Sequence, residues 1–223
     1  MDAPGWLSQH LAEVPSGEEW LGENERRVLA SMHAERRRSD WRLGRWTAKA
    51  ALSSWLGVSA RRIEVLAGGD GAPEAWLDGA PAALSVSLSH RGGRALAAVA
   101  DSPQIAGCDL ELVERRSDAF VREWLARPEQ RLISSCTGEQ RALVANLIWA
   151  AKEAAAKVRR EGLRLDIRRA VVSVDIDGQS EEWRPLQVNW GDGGGTTIGW
   201  WRAEPRWVMV VAGDPAPAVP RAI

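Results

Sequence analysis

The segment EQRALVANLIWAAKEAAAKVRR, from about residue 139 to residue 160, gives the strongest helix signal in the chain. It is rich in Ala, Leu, Lys and Glu and free of Pro and Gly, so its local propensity favours one long helix. A second helix is predicted over residues 41–57, with Ser39 or Asp40 as the N-cap and Gly57 as the C-cap. The fold must therefore pack long helices against the strands that the rest of the chain forms.

Short apolar segments between these helices predict strands. The segment ALSVSLSH, residues 83–90, alternates Leu or Val with Ser, which predicts a half-buried strand. Residues 95–101 and 105–113 flank a turn at Ser102–Pro103, and we expect them to form a hairpin. The Pro-rich C-terminal segment DPAPAVPRAI is expected to be a frayed tail. Further strands are predicted at 61–66, 170–176, 183–190 and 206–212.

Helices and antiparallel strands alternate in both halves of the chain, which predicts the α+β class. We place the boundary near Ser102, with an N-terminal lobe at residues 1–102, a C-terminal lobe at residues 103–223 and the functional site between them. No internal repeat is evident by residue identity.

The charge balance disfavours one class of function. The chain has 223 residues, with 29 Lys and Arg against 30 Asp and Glu, whereas a nucleic-acid-binding protein usually has a basic excess. No apolar run approaches the ~20 residues that span a bilayer, and the N-terminus lacks the features of a signal peptide. The two cysteines cannot form a disulfide framework or a four-ligand zinc site alone. These features predict a globular cytoplasmic protein of enzymatic size.

Two carboxylates are candidates for metal binding. Asp109 and Glu111 lie two residues apart on a predicted strand, so both side chains point to one face, and Gly107 leaves space beside them. Such a pair can present hard oxygen ligands to Mg²⁺. An ordinary solvent-facing strand has the same pattern, so both interpretations stay open.

Acidic and basic residues share one face of the long helix. Trp149, Glu153 and Lys157 follow at intervals of four residues, and Lys152 is adjacent. A surface ion-pair ladder would have the same spacing and contribute only ~0.3–0.5 kcal/mol per pair. Because a large Trp favours burial, we expect this face to border a cleft rather than open water.

Basic residues elsewhere suggest a phosphate site. Ser89 and His90 end the alternating strand before a glycine turn, where they could hold a phosphate, although His90 could equally be a simple strand end. The two side chains point to opposite faces, which argues against a Ser–His catalytic dyad. Arg42, Arg45 and Lys49 form one stripe of the helix at 41–57. The Gly-rich segments match neither a P-loop nor a dinucleotide-binding motif.

Four segments, taken in order, resemble the successive motifs of the 4′-phosphopantetheinyl transferases. They are GRWTAKAAL, SLSH, GCDLELV and WAAKEAAAKVRREGL, and they span residues 44 to 163. The chain is most similar to the longer, surfactin-synthetase-activating type, in which one chain holds two related lobes. The resemblance implies two pseudo-symmetric lobes of helices packed on antiparallel strands and a monomer that builds its own site.

The resemblance also implies a role for each candidate residue. Asp109, Glu111 and Glu153 would bind Mg²⁺ together with the pyrophosphate of coenzyme A, and Glu153 would be the general base. Lys157 and His90 would neutralise charge on the pyrophosphate. The remaining coenzyme A contacts would come from Ser89 and Lys152 and, at the 3′-phosphate, from Arg45 and Lys49.

Two positions depart from the family pattern. Ala72 stands in a G-x-P turn where many members have a basic residue, so one coenzyme A contact is expected to be missing or to come from Arg61 or Arg62. Cys108 replaces the usual branched apolar residue between Gly and Asp, which a small buried side chain tolerates.

The implied activity moves the 4′-phosphopantetheine arm of coenzyme A to a serine of an apo acyl or peptidyl carrier protein and releases 3′,5′-ADP. We expect the carrier protein to contact apolar residues beside the site, with Phe120, Trp124 and Leu125 as candidates. Three alternatives stay open. They are a non-catalytic module that binds coenzyme A or a carrier protein, another Mg²⁺-dependent phosphotransferase, and a nucleic-acid-binding protein that uses the ERRR run at residues 35–38 and the stripe of Arg42, Arg45 and Lys49.

Overall fold

The computed structural model describes residues 3–161, 166–176, 181–191 and 193–223. The last residues of the WAAKEAAAKVRREGL motif, 162 and 163, lie outside the described residues. The described helices are α1 (Glu23–Ala30), α2 (Glu35–Leu56), α3 (Asp118–Trp124), α4 (Arg127–Ser135) and α5 (Gly138–Arg159). The described strands are β1 (Gly5–His10), β2 (Ile63–Ala67), β3 (Pro73–Leu77), β4 (Ala80–Pro81), β5 (Leu84–Arg91), β6 (Arg94–Asp101), β7 (Ile105–Leu112), β8 (Ala170–Val174), β9 (Arg184–Trp190), β10 (Thr196–Glu204), β11 (Trp207–Asp214) and β12 (Arg221–Ala222).

The strands form three sheets in the described part of the chain. Their orders are β12-β1-β6-β5, β7-β11-β10-β9-β8 and β2-β3-β4. Helix α2 packs on β1 and β6, and α5 packs on β7 and β11. The pairing is antiparallel except between β1 and β12, which run parallel. The predicted α+β class is confirmed, and the boundary near Ser102 stays a prediction. None of the helices that the structure describes combines the length and apolar character of a bilayer-spanning segment.

The predicted hairpin of β6 and β7 is wrong. Strand β6 has neighbours on both edges, because β5 pairs with it in the register Leu88↔Ala97 and β1 pairs on the other side. Strand β7 pairs instead with β11, with Asp109 opposite Val210. The Ser102–Pro103 turn therefore carries the chain from one sheet to another.

The C-terminal segment is not a frayed tail. Arg221 donates its backbone N–H to the carbonyl oxygen of Pro4 at 3.0 Å, and Ile223 donates to that of Trp6 at 3.1 Å. The side chain of Ile223 also packs against the core between α2 and its sheet. The segment closes an open edge of β1, a long-range partner that local composition does not reveal.

Serine side chains join the two larger sheets at their edges. The hydroxyl of Ser85 accepts a hydrogen bond from the Ala106 N–H at 2.9 Å, and that of Ser87 accepts one from the Cys108 N–H at 3.0 Å. These donors lie on the edge of β7 that has no neighbouring strand. The polar face of β5 therefore satisfies backbone groups that burial would otherwise leave unpaired.

Each half of the chain contains a buried Glu–Lys ion pair. The Nζ of Lys49 on α2 lies 2.6 Å from the Oε2 of Glu25, and both side chains are 0% exposed. In the second half, the Nζ of Lys152 on α5 lies 2.8 Å from the Oε2 of Glu129, at 0% and 1% exposure. The two pairs therefore occupy equivalent places on the two long helices.

The two glutamates also make matching backbone contacts. Glu25 accepts hydrogen bonds from Gly22 N at 2.9 Å and Val65 N at 2.9 Å. Glu129 accepts them from Ala126 N at 2.6 Å and Val172 N at 2.8 Å. Each carboxylate thus closes the first turn of a short helix, holds the first strand after a long helix, and neutralises a lysine.

The two equivalent Glu–Lys pairs reveal an internal repeat that is not evident from residue identity alone. The sequence WLGENE at residues 20–25 matches WLARPE at 124–129, and WTAK at 46–49 matches WAAK at 149–152. The tryptophans of each repeat stack edge to face, at 5.3 Å in the first half and 5.8 Å in the second. The two halves resemble each other in sequence only at the residues around the ion pair, so the repeat is hard to recognise from the sequence.

We predict that Lys49→Met destabilises the fold by about 3–5 kcal/mol, because Glu25 would be left as an unpaired buried charge. Urea unfolding measures the change. Arg27→Met is the matched control, since it removes an exposed partner of Glu23 and should change stability by less than about 0.5 kcal/mol. Equal stability of the Lys49 variant and the wild type would contradict the buried pair.

Candidate functional site

A cavity of about 1300 Å³ lies between β5, the turn that joins β2 to β3, and the C-terminal half of α5. Its wall includes residues from both sides of Ser102. Of the residues predicted from the sequence, Arg45, Glu153 and Lys157 line it. The indoles of Trp124 and Trp149 form part of the same wall.

Lys157 and Asp109 form the charged centre of the site. The Nζ of Lys157 donates to the Oδ1 of Asp109 at 2.9 Å and to the carbonyl oxygen of Cys108 at 2.8 Å. Burial alone would lower the pKa of Lys157, but the surrounding negative groups, Asp109 first, more than offset it and raise that pKa. The lysine is therefore held as a fixed cation at the cavity wall.

Asp109 has an oxygen without a partner. Its Oδ1 accepts hydrogen bonds from Ser89 at 2.8 Å and Lys157 at 2.9 Å, whereas its buried Oδ2 has none. The side chain is only 7% exposed, so water does not readily replace the missing partner. A buried carboxylate oxygen left free beside a second carboxylate fits the ligand chemistry of a divalent cation such as Mg²⁺.

The second carboxylate is Glu153. Burial, with a further contribution from the negative charge of Asp109, raises the pKa of Glu153, and Lys157 partly opposes this. Glu153 and Lys157 both line the cavity, and Asp109 lies behind Lys157, to which it is hydrogen-bonded. A carboxylate with a raised pKa is a better proton acceptor than an ordinary glutamate.

Glu111 is held by arginines. Its Oε2 accepts a hydrogen bond from Arg116 at 2.9 Å, and Arg91 lies 3.7 Å away. Burial and then Asp109 raise its pKa. Within the described ranges, no three His, Cys, Asp or Glu side chains are placed to hold a metal ion together. The set of Asp109, Glu111 and Glu153 as joint metal ligands stays a prediction.

Gly107 allows β7 to approach α5 closely. A Cβ atom at this position would lie 2.1 Å from the carbonyl oxygen of Ala154 and 2.8 Å from the side chain of Val158. The close approach brings Asp109 within reach of Lys157. Next to it, burial raises the pKa of the Cys108 thiol to about 11, so Cys108 stays a protonated core residue.

His90 lies in a second, smaller depression. This space of about 500 Å³ is also lined by Arg36, Arg37 and Trp41. Arg45 links the two spaces, because its guanidinium lies 5.0 Å from the Trp41 ring while its side chain lines the larger cavity. The Nε and Nη1 atoms of Arg45 are buried without a hydrogen-bond partner, and burial lowers its pKa.

Arg36 and Arg37 were missed as site residues by sequence reasoning. The sequence shows the ERRR run at residues 35–38 as a cluster of charge, and this pattern alone indicates only a nucleic-acid-binding alternative. Its position beside His90 depends on the packing of α2 against β5, which the sequence does not show.

Two lysines predicted to bind coenzyme A are not available to a ligand. Lys49 and Lys152 are fully buried, each in its Glu–Lys pair, and the Nζ of Lys152 also lies 3.2 Å from the carbonyl oxygen of Trp124. Neither lines the cavity. The prediction that these two lysines bind coenzyme A is therefore wrong. Their partner glutamates lie on other helices, α1 and α4, and the positions of the lysines in the sequence do not reveal these partners.

The turn containing Ala72 receives a cation from the other half of the chain. Arg62 is hydrogen-bonded to Asp78 at 2.9 Å, and neither Arg61 nor Arg62 lines the cavity. Arg160 instead reaches the turn and donates to Asp70 at 2.9 and 3.1 Å.

Two of the three candidate carrier-protein contacts are partly exposed. Phe120 and Trp124 are half-buried and stack edge to face on Trp149, at 5.1 and 5.8 Å. Leu125 is 3% exposed and belongs to the core, so it cannot offer a docking surface.

Comparison with known proteins identifies the family to which the chain belongs. Residues 105–190 match the model of the 4′-phosphopantetheinyl transferase superfamily, and residues 24–100 match that of the 4′-phosphopantetheinyl transferase N-terminal domain. Together these matches cover well over half of the chain. The structure thus has the two-part α+β fold of a phosphopantetheinyl transferase. The chain belongs to the 4′-phosphopantetheinyl transferase superfamily.

Two solved structures are similar to part of the chain. One is a holo-(acyl-carrier-protein) synthase from Bacillus anthracis in complex with CoA (3′,5′-ADP), with 26% identity and a TM-score of 0.37, covering 44% of this chain and 92% of that chain. The other is the Helicobacter pylori holo-[acyl-carrier-protein] synthase in complex with coenzyme A, with 21% identity and a TM-score of 0.31, covering 44% of this chain and 99% of that one. A comparison with curated proteins finds no match.

We predict that Gly107→Ala destabilises the protein by about 1–3 kcal/mol, because the new methyl group would overlap α5 backbone. Thermal or urea unfolding measures the change. Gly69→Ala is the control, since a Cβ atom there has no neighbour within 4 Å. If both variants unfold like the wild type, β7 does not approach α5 as closely as described.

Proposed function

We propose that this protein transfers the 4′-phosphopantetheine arm of coenzyme A to a serine of an apo acyl or peptidyl carrier protein, with Mg²⁺ as cofactor and 3′,5′-ADP as the second product. The observation that carries the proposal is the charged centre, where Asp109 has one unpartnered oxygen and is hydrogen-bonded to Lys157, which lines the cavity together with Glu153. Membership of the superfamily and the coenzyme A named for the two synthases support the substrate.

Asp109 and Glu153 are the residues that would hold Mg²⁺, with Glu111 as a third candidate once it leaves Arg116. When bound by these carboxylates, Mg²⁺ would supply positive charge that offsets the charge developing on the pyrophosphate. The unpartnered Oδ2 of Asp109 fits this role, since a buried acceptor without a donor favours a cation.

Lys157 contributes a permanent positive charge. It is held by Asp109 and the Cys108 carbonyl, so its ammonium needs little rearrangement to contact a pyrophosphate oxygen. We assign the nucleotide phosphates to Arg45 and to the depression that contains His90, Arg36 and Arg37. Ser89 acts on Asp109, whose carboxylate it orients by hydrogen bonding.

Glu153 is the proposed general base. The carrier serine hydroxyl gives its proton to the Glu153 carboxylate while its oxygen forms a bond to the phosphorus next to the pantetheine arm. The bond between that phosphorus and the bridging pyrophosphate oxygen breaks, and 3′,5′-ADP leaves with the electron pair. Positioning and charge stabilisation account for most of the catalysis in such phosphoryl transfers.

Three further expectations belong to the proposal. The active site lies between the lobes at residues 1–102 and 103–223, since residues from both line the cavity. The protein works as a monomer and in the cytoplasm.

The test is incubation with coenzyme A, Mg²⁺ and a panel of apo carrier proteins, followed by intact-mass measurement. We expect at least one carrier to gain the mass of a single phosphopantetheine group. If coenzyme A binds but every carrier keeps its mass, the chain is a binding module and the proposed activity is wrong.

The two central carboxylates should respond differently to substitution. We expect Asp109→Ala to weaken Mg²⁺ binding and to recover activity partly at excess Mg²⁺, because it removes a ligand. Glu153→Gln should lower kcat by about 10²–10⁴-fold, since it removes the base, and added Mg²⁺ should not restore the rate. Carrier modification is measured against Mg²⁺ concentration. Normal turnover of Glu153→Gln at saturating Mg²⁺ would show that Glu153 is not the general base.

Phe120 should affect the carrier protein rather than coenzyme A. We expect Phe120→Glu to raise the KM for carrier protein severalfold, because it places a charge on a partly apolar surface beside the cavity. Calorimetric coenzyme A affinity should stay unchanged. A change in coenzyme A affinity with an unaltered carrier KM would contradict the docking role.

A further inference from the structure

Arg160 has an unusual backbone conformation. It is the residue that ends α5 and has φ 53° and ψ 24°, the left-handed region in which helices commonly end with Gly. A residue with a long side chain in this region carries a conformational cost, and such positions often have a functional reason. The conformation therefore points to a role for the Arg160 side chain.

The Arg160 side chain spans the cavity. Its guanidinium donates two hydrogen bonds to Asp70, at 2.9 and 3.1 Å, and lies 3.6 Å from Glu74. All three residues line the cavity, and the acids belong to the segment between β2 and the start of β3. The ion pair thus joins the end of α5 to the opposite wall.

This ion pair is weak enough to exchange. The Arg160 and Asp70 side chains are 41% and 33% exposed, and ion pairs at such exposure contribute little net stability. A phosphate offers a guanidinium the same two-point geometry with more negative charge. Arg168, another arginine of the wall, is bound to Asp166 on its own side of the cavity and does not span it.

We propose that Arg160 is a phosphate-binding residue of this cavity, and that its guanidinium exchanges Asp70 for a phosphate group of the bound nucleotide. Asp70 is then a competitor that holds the guanidinium in place until the substrate arrives. This inference rests on the proposed function, which makes coenzyme A the nucleotide.

The exchange predicts opposite effects for the two partners of one ion pair. Arg160→Gln removes the phosphate contact and should weaken coenzyme A binding about tenfold, the scale of a charge-assisted hydrogen bond. Asp70→Asn frees the guanidinium and should strengthen binding by about two- to fivefold. If the ion pair only joined the two walls, both variants would shift affinity in the same direction.

Calorimetric titration with coenzyme A measures these affinities, and dephospho-coenzyme A identifies the phosphate. An Arg160→Gln defect seen with coenzyme A alone assigns the contact to the 3′-phosphate. An equal defect with both assigns it to the pyrophosphate. Arg62→Gln is the matched control, since it breaks an exposed Arg–Asp pair outside the cavity and should leave both affinities unchanged.

Measurements of unfolding distinguish an effect of Arg160 on coenzyme A binding from an effect on folding. Arg160→Gly relieves the left-handed backbone, so it should unfold at the same or higher temperature than the wild type while binding coenzyme A less tightly. Shifts in the same direction for Arg160→Gln and Asp70→Asn, or no shift in either, would overturn the role of Arg160 while leaving the proposed function intact. A wild-type protein that neither binds coenzyme A nor modifies a carrier would overturn both.

Discussion

A lysine ammonium removed from water and neutralised by one buried glutamate organises each half of this protein. The desolvation of such a pair is costly, so its net contribution to stability is small, but the loss of either partner is severe. The pair also fixes geometry, because each glutamate closes a short helix and binds the strand that follows a long helix. Helix, strand and lysine are thereby held together twice in one chain.

Of the two equivalent long helices, only α5 carries a carboxylate and a lysine of the site beyond its buried ion pair. Lys152 is followed by Glu153 and, five residues on, by Lys157, whereas Lys49 is followed by Ala50 and Ser54 at the equivalent positions. The first half supplies the polar face of β5, whose Ser89 orients Asp109 across the contact between sheets. The second half thus provides the charged centre, whereas the first half aligns Asp109 and contributes Arg45 to the cavity wall.

The sequence was informative where the signal was local. The alternation at residues 83–90 and the composition of the long helix predicted their elements, and the spacing of Glu153 and Lys157 placed both on the cavity wall. It was misleading where a partner lies far along the chain. Lys49 and Lys152 looked like ligand-binding cations because their glutamates are on other helices, and Arg160 gave no signal because its contact spans 90 residues.

The proposed function requires that this cavity catalyse transfer of the phosphopantetheine arm and not only bind coenzyme A. A time course that records 3′,5′-ADP and modified carrier protein in the same reaction tests it most directly. We expect the two products to appear in equal amounts, and only when coenzyme A, carrier protein and a divalent cation are all present. Release of 3′,5′-ADP without carrier, or stable coenzyme A binding with neither product, would contradict it.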